Sequence, residues 1–408
     1  MTTARESANQ QAIDQLKAVR PMLVGVVPAS EAMGIAATTI LTSGPRLAFS
    51  DYVGGQRDAV VGAALYEGLA ENSADAVRAF ERGVIEVRGC QEFDCVGSLA
   101  GVTSASMPVL VVEDEITGKR AYCTLYEGDT ADRLNYGSYT SRTRDNLEIL
   151  RTEVAPEIDS LVRDRGGIAL LPIMTRALTM GDELHSRNAA ATLLFFRELV
   201  GEVLTKRPVH ESAARVLKDD YFFLRLSMAA SKLMANAMKN FAGSSVVTGM
   251  AFSCREFGIQ VSGLGEQWFT GPVPTFEDYK LEPGASLDDA EIMGGESTTT
   301  EVVGLGGLSQ AAAFPLVRAS GGEIERMVER TRQMYEITVT RSQDFLIPAL
   351  NYAGAPLGID IEKVVRKGIV PFLDIGIAGK ARKQIGGGVA LPPKEAFEKA
   401  LLALDSVS

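Results

Sequence analysis

Hydrophobic residues follow different patterns in three parts of the chain. Before residue 145, short apolar runs bounded by turn residues predict strands among amphipathic helices. Residues 145–242 show helical periodicity with few β-branched runs, and after residue 242 short strands and glycines return. The sequence therefore predicts a mixed α/β (α+β) protein. In it an N-terminal α/β domain (1–144) and a C-terminal α/β domain (243–408) are separated by a mainly helical segment (145–242).

Several elements can be placed from their periodicity. Helices are predicted at Ser7–Val19, Gln56–Ala70, Asp145–Arg165, Thr179–Lys206, Glu211–Lys218, Tyr221–Asn240, Glu323–Tyr335, Asp360–Lys367 and Pro393–Leu404. Strands are predicted at Val84–Val87, Val109–Glu113, Arg120–Tyr126, Val246–Thr248, Gly258–Val261 and Ile369–Ala378, the second and third forming a hairpin. Tyr221–Asn240 is expected at the centre of the molecule, because it has almost no polar face. Pro272–Asp289 is acidic and contains three prolines, so it is expected to be a surface excursion.

The segment Thr179–Asn188 carries the densest set of reactive side chains. Two acids, one of the two histidines, an arginine and an asparagine lie directly before the apolar run Ala189–Leu204. If Thr179 is the N-cap of that helix, Asp182 lies at its third position and shares a face with His185. Two interpretations follow: the segment caps the helix, or it forms the wall of an active site at the helix N-terminus.

Composition excludes several classes of protein. The net charge of −11 argues against broad nucleic-acid binding, so an anionic substrate would have to be met by local arginines or backbone N–H groups. The four cysteines lack the spacing of a zinc site, and we predict no metal. The polar N-terminus has no signal-peptide pattern, and no apolar run approaches bilayer length. We therefore expect a cytoplasmic protein that does not enter the membrane.

Glycine clusters and hydroxyl-rich loops offer weaker signals. Gly304, Gly306 and Gly307 form one cluster, and others lie at 263–265 and 386–388; each can present N–H groups to an anion or form a tight turn. None completes a dinucleotide fingerprint or a P-loop, and we predict no cofactor. Ser104 and Ser106 lie in a loop that can bind oxyanions or simply lead into a strand. His210 is expected in a solvent-facing turn.

The segment Thr140–Arg144 resembles in part the phosphate loop of aspartate and ornithine carbamoyltransferases. Those enzymes also carry a His-Pro-x-Gln motif. In this chain His185 is followed by Ser186, and His210 by Glu211. We therefore interpret the segment as the charged start of a helix.

Further segments, in order along nearly the whole chain, match a single protein family. They are Val60–Gly68, Gly101–Glu113, Ala121–Cys123, Thr179–Asn188, Phe257–Ile259, Val261–Glu266, Trp268–Thr270, Gly358–Ile361 and Asp374–Ala378. Together they resemble the YlbE-like family, one member of which is regarded as a subunit of bacterial oxamate carbamoyltransferase.

This resemblance implies a role in purine, including allantoin, or amide nitrogen catabolism. The implied reaction moves a carbamoyl group between carbamoyl phosphate and oxamate, giving or consuming oxalurate. The implied partner is an acyl-CoA-synthetase-like subunit, with carbamate kinase acting nearby, and the chain could also form a homo-oligomer. Two alternatives stay open: a non-catalytic structural subunit, and an enzyme that acts on another amide or ureide.

Carbamoyl transfer sets clear demands on a site. An amide nitrogen is a poor nucleophile, so the reaction needs a base, a clamp for a carboxylate and donors for oxyanions. The predicted acid–base group is His185, assisted by Asp182 or Glu183. The predicted substrate-binding residues are Arg187 and Asn188 for a carboxylate or amide, Ser104, Ser106, Gly304, Gly306 and Gly307 for phosphate or carbonyl oxygens, and Glu266 as a further polar group. A metal held by Asp182, Glu183 and His185 is the weakest alternative, since no second histidine is near.

Overall fold

The computed structural model describes residues 4–128, 132–200, 211, 214, 217 and 219–407. Its helices are α1 Ala4–Ala18, α2 Ala29–Met33, α3 Gly54–Tyr66, α4 Ser73–Glu81, α5 Ser141–Ile149, α6 Ala155–Asp164, α7 Leu171–Thr179, α8 Ala189–Val200, α9 Phe222–Ala237, α10 Thr299–Val302, α11 Val317–Ser320, α12 Ile324–Ile337, α13 Ile361–Lys367 and α14 Lys394–Val407.

The strands form several small sheets. They are β1 Pro21–Pro28, β2 Thr39–Thr42, β3 Glu86–Gly89, β4 Cys95–Val96, β5 Val102–Thr103, β6 Pro108–Asp114, β7 Arg120–Thr124, β8 Ile168–Ala169, β9 Val247–Phe252, β10 Phe257–Val261, β11 Phe269–Gly271, β12 Thr275–Leu281, β13 Thr338–Ile347, β14 Ala353–Ile359, β15 Leu373–Gly379 and β16 Lys383–Leu391. The strand orders are β4-β7-β6-β1-β8, β3-β2-β5, β11-β10-β9, β12-β16-β15 and β13-β14. Neighbouring strands are antiparallel except in the pairs β2–β3 and β4–β7. The mixed α/β class is confirmed.

Helix α9 lies at the centre of the molecule, as its apolar sequence predicts. Thirteen of its sixteen residues are buried. It contacts β6 and β7 from the N-terminal part of the chain, and β9 and α10 from the C-terminal part. Two charged residues, Arg225 and Lys232, are buried within it. Because this helix touches both ends of the chain, its polar residues can meet groups that are distant in sequence.

Most of the predicted elements are confirmed. The hairpin of β6 and β7 forms around the turn at Gly118, and the predicted helix Asp145–Arg165 is α5 and α6 joined by a π-helical turn at Leu150–Val154. The expected surface excursion contains the edge strand β12, none of whose residues is fully buried. The turn at His210 lies outside the described residues, and of the helix Glu211–Lys218 only residues 211, 214 and 217 are described, as helical.

The glycine cluster at 386–388 corrects one expectation. These residues lie inside strand β16 rather than in a tight turn. A side chain at Gly386 or Gly388 would collide with the carbonyl of Lys280 or Asp278 on the neighbouring strand. The glycines therefore allow two backbones to approach closely.

The proposed boundaries at 144/145 and 242/243 stay a prediction. Buried residues from all three segments belong to one hydrophobic cluster, for example Val60, Phe195 and Phe397. In the described part of the chain, no helix has the length and apolar character needed to cross a bilayer.

Candidate active site

The segment with the densest reactive side chains is a loop between two helices. The prediction that Thr179 caps the following helix is wrong. Thr179 is the last residue of α7, and its hydroxyl donates to the carbonyl of Arg176 (2.7 Å). Gly181 and Leu184 have φ values of +101° and +70°, which a helix cannot accommodate. Asp182 and His185 therefore do not share a helix face, and α8 begins only at Ala189.

Acidic side chains hold this loop in shape. Asp182 accepts from the N–H of Ala191 (2.8 Å) near the start of α8, and it pairs with Arg187. Glu183 accepts from the backbone N–H groups of His185 (3.2 Å), Ser186 and Arg187 (3.0 Å). Burial raises the pKa of both carboxyls despite these donors. Both acids thus stabilise the loop. Asp182 does cap α8, but it does so from the preceding loop, by accepting from the N–H of Ala191, rather than from a position inside the helix.

Two further bonds fix the backbone on either side of the histidine ring. The Asn188 side-chain amide donates to the carbonyl of His185 (2.8 Å). The Ser227 hydroxyl of α9 donates to the carbonyl of Leu184 (2.8 Å). Leu184 is fully buried in a left-handed conformation that non-glycine residues rarely adopt. Such strain is retained where the surrounding contacts determine the backbone, and functional sites are one such place.

His185 forms a buried pair with a carboxylate from a distant part of the chain. Its Nδ1 lies 2.7 Å from Oε1 of Glu301 on α10. The same Oε1 accepts from the N–H groups of Gly307 (3.0 Å) and Asp374 (3.1 Å), while Oε2 accepts from the Thr300 hydroxyl (2.9 Å). A carboxylate accepts hydrogen bonds, so it assigns the proton to Nδ1 and leaves Nε2 free to act as a base. This is the geometry of an oriented general base.

Asp374 adds a second buried acid behind this pair. Burial, and then repulsion from Glu301, raise the pKa of Asp374 to about 7. Its Oδ1 accepts from the Gln310 side chain, whereas its Oδ2 has no hydrogen-bond partner. A second negative charge beside Glu301 is therefore unfavourable, and Asp374 holds a proton more readily than a free carboxyl does.

His185 lies in the wall of a cavity of about 700 Å³. Ser186 extends the same wall, and α9 contributes Tyr221, Leu224 and Arg225. Ser98, Asn135 and Ser297 supply polar side chains, and Gly376 and Gly386 supply backbone from the sheet of β15 and β16. Lys383 and Glu282 pair across 3.2 Å, and both are about half exposed. A cavity of this size suits a small ligand.

Two arginines bring positive charge to the cavity. Arg225 is only 3% exposed, and its guanidinium lies 5.8 Å from the centre of the Tyr126 ring. Arg133 lies 4.6 Å from the centre of the Tyr136 ring and donates to the Tyr126 hydroxyl (3.1 Å). Both arginines line the cavity together with His185. The arrangement can bind an anion close to a general base.

The structure brings part of the predicted site together. Gly307 donates to the carboxylate that orients His185, and the Gly306 N–H donates to the carbonyl of Glu183 (2.8 Å). Gly304 has a φ of +90° and faces the Pro356 carbonyl, so it serves a turn. Asp182, Glu183, Arg187 and Asn188 hold the loop and do not line the cavity.

Other predicted residues lie elsewhere. Ser104 and Ser106 both bind the carboxylate of Glu67 through their hydroxyls (2.6 and 2.9 Å) and do not line the cavity. Glu266 has a largely exposed side chain 3.4 Å from Lys239. Arg142 and Arg144, from the partial phosphate-loop match, are exposed in the first turn of α5, where Thr140 is the N-cap. Among the described residues, no three His, Cys, Asp or Glu side chains are arranged to hold a metal.

Sequence reasoning missed Glu301, Asp374, Arg133 and Arg225. Three of them carried a usable signal, and Arg133 carried none. Arg225 is one of two charged residues on a mainly apolar helix, and Asp374 interrupts an apolar strand. Glu301 lies three residues before Gly304, where the glycine cluster begins. Buried charges of this kind are expensive unless paired or functional, so they mark candidate sites.

Known proteins resemble this chain along its whole length. Residues 85–297 match the family model described as oxamate carbamoyltransferase subunit AllG. Oxamate carbamoyltransferase subunit AllG of Escherichia coli K12 is 37% identical over 99% of this chain and 98% of that protein. The uncharacterized protein YahG of the same organism is also 37% identical, over 97% of this chain and 85% of that protein.

A solved structure agrees as well. The crystal structure of a conserved protein of unknown function from Enterococcus faecalis V583 has a TM-score of 0.94 and 34% identity. The match covers 99% of this chain and 98% of that one. The two proteins therefore share nearly the same fold, although about two thirds of their aligned residues differ.

Proposed function

Because this chain belongs to the family of oxamate carbamoyltransferase subunit AllG, we propose that it carries the carbamoyl-transfer site of such an enzyme. The observation that carries the proposal is His185, held through Nδ1 by Glu301 in the wall of a cavity that also contains Arg133 and Arg225. The substrates are oxamate and carbamoyl phosphate, or in reverse oxalurate and phosphate. All are small anions that a 700 Å³ cavity can enclose.

His185 acts as the base in this mechanism. The oxamate nitrogen attacks the carbamoyl carbon, and its proton passes to Nε2 of His185 as the new N–C bond forms. The C–O bond to phosphate breaks, and inorganic phosphate leaves. Glu301 stabilises the imidazolium produced in this step. In the reverse direction, phosphate attacks the carbamoyl carbon of oxalurate, and His185 returns the proton to the departing oxamate nitrogen.

The chain works as one subunit of a larger assembly in this proposal. AllG of Escherichia coli K12, one of the two relatives with 37% identity, is itself named a subunit. The proposed partner is an acyl-CoA-synthetase-like protein, and the proposed setting is nitrogen catabolism in the cytoplasm, including allantoin degradation. We also propose that the chain is a member of the YlbE-like family, which its sequence motifs resemble.

Reconstitution tests the assignment. Carbamoyl phosphate formation from oxalurate and phosphate is measured with this chain alone and with its partner subunit. We expect His185→Gln and Glu301→Gln to reduce turnover about a hundredfold or more, since general acid–base catalysis contributes on that order. His210→Gln is the matched histidine control, and Glu395→Gln on the exposed start of α14 is the carboxylate control.

Assembly is measured on the same samples by size-exclusion chromatography. Wild-type turnover in an intact complex that contains His185→Gln contradicts the mechanism. If His185→Gln instead abolishes assembly, the alternative of a structural subunit is favoured. Turnover by the wild-type chain alone removes that alternative.

A further inference from the structure

Arg225 is a buried cation without a fixed counter-ion among the described residues. It is 3% exposed, its Nε has no hydrogen-bond partner, and its side chain lines the cavity. The buried carboxylate of Glu127 interacts electrostatically with both Arg225 and Arg133, but its oxygens accept from the N–H groups of Leu134 (2.7 Å) and Asn135 (2.9 Å). An unpaired buried donor is unfavourable, and a ligand that accepts a hydrogen bond from it removes this cost.

Arg133 places a second positive charge near the same aromatic ring. The guanidinium groups of Arg133 and Arg225 lie 6.0 and 5.8 Å from the centre of the Tyr126 ring. Among the described residues, neither guanidinium forms a salt bridge with a carboxylate. Arg133 lies over the Tyr136 ring and donates to the Tyr126 hydroxyl. Two positive charges near one ring favour the binding of an anion beside them.

Asn135 adds an acceptor next to the arginines. Its Nδ2 donates to the Ser98 hydroxyl (3.3 Å), and its Oδ1 is buried without a partner. Asn135 is 7% exposed and lines the cavity beside Arg133. An unused amide oxygen accepts hydrogen bonds from an N–H group.

From this arrangement we infer that Arg225, Arg133 and Asn135 form a selective subsite for ligands that join an anionic oxygen group to a primary amide. The arginines bind the anionic group, and the Asn135 carbonyl accepts from the –NH₂ group. The inference rests on the proposed function and adds specificity-determining residues to it. Oxamate carries a carboxylate beside its amide, and carbamoyl phosphate carries a phosphate, so both fit the shared chemistry.

Ligand binding tests the subsite without relying on turnover. Ligand-observed NMR titrations of the full chain use oxamate, oxalate, oxamide and inorganic phosphate as probes. We expect wild type to bind oxamate more tightly than oxamide. Arg225→Met should weaken oxamate binding about tenfold or more and leave oxamide binding unchanged, because a charged hydrogen bond is lost. Arg144→Met, on the exposed start of α5, is the matched control.

Two further variants separate the contribution of the Asn135 amide from that of the Arg225 charge. Asn135→Leu should reduce the preference for oxamate over oxalate, since oxalate has no –NH₂ group. Arg225→Lys keeps the charge and should weaken oxamate binding less than Arg225→Met does. This difference would attribute the loss in Arg225→Met to the missing charge rather than to misfolding. Circular dichroism confirms that each variant is folded.

The possible outcomes distinguish the two proposals. If Arg225→Met loses phosphate binding but keeps oxamate binding, the anionic group is the phosphate of the donor. Oxamate and phosphate binding equal to wild type in Arg225→Met overturns the subsite, even if the reconstituted enzyme transfers carbamoyl groups. If binding is lost as expected but no reconstituted complex transfers a carbamoyl group, the subsite stands and the proposed function fails.

Discussion

Asp374 shows at the scale of one residue how the site sets its charge. Its carboxyl is 1% exposed and lies behind Glu301, the residue that orients His185. Burial and the neighbouring Glu301 charge raise the pKa of Asp374 to about 7, against 3.8 for the free side chain. Between these two pH values the folded protein retains a proton that the unfolded chain has lost. The contribution of Asp374 to stability therefore falls as pH rises through this window.

Asp374→Asn tests this linkage. The asparagine keeps an acceptor for Gln310 but cannot ionise. We expect the free energy of unfolding of the variant, relative to wild type, to increase between pH 5 and pH 8 by a few kcal/mol, on the order of 1.4 kcal/mol for each pKa unit. Urea unfolding at several pH values measures the difference. Parallel pH profiles for the two proteins would show that Asp374 has no raised pKa.

At the scale of elements, sequence patterns succeeded where the contacts are local. The β6–β7 hairpin and the buried helix α9 follow from periodicity. The loop before α8 was misassigned because its shape depends on contacts with other elements. Leu184 keeps a positive φ with the help of Ser227 on α9. Gly181 in this segment was the one local signal that a helix does not begin at Thr179.

The start of α8 provides a prediction at the same scale. Asp182 caps Ala191 and pairs with Arg187, although neither residue is adjacent in sequence. Asp182→Ala should lower the free energy of unfolding by about 1–3 kcal/mol, because an N-terminal cap is lost and a partly buried guanidinium is left unpaired. Asp14→Ala, on the exposed side of α1, should change it by less than about 0.5 kcal/mol. Urea unfolding of both variants decides whether the cap has this role.

At the scale of the whole molecule, the site joins segments that no local pattern relates. His185 and Glu301 are 116 residues apart in the chain. Arg133 precedes the loop that contains His185 in the sequence and Arg225 follows it, yet both line the same cavity. The sequence identified His185 as a candidate but supplied neither its carboxylate partner nor the arginines. Periodicity predicts which face of an element is buried, and it does not predict which elements meet. Buried charges in apolar elements were the available clue.

In the proposed mechanism His185, fixed through Nδ1 by Glu301, faces the ligand in this cavity. The chain has two histidines, so His210→Gln leaves His185 as the single source of imidazole signals. The His210→Gln variant is labelled with nitrogen-15 in its histidine ring. NMR then measures the chemical shifts and protonation of Nδ1 and Nε2 of His185 with and without oxamate.

We predict a protonated Nδ1 whose slowly exchanging proton is lost in the additional variant Glu301→Ala, which has no acceptor at this position, and an Nε2 signal that shifts when oxamate saturates the protein. A proton on Nε2 alone, or ring signals unchanged at saturating oxamate, would contradict the account.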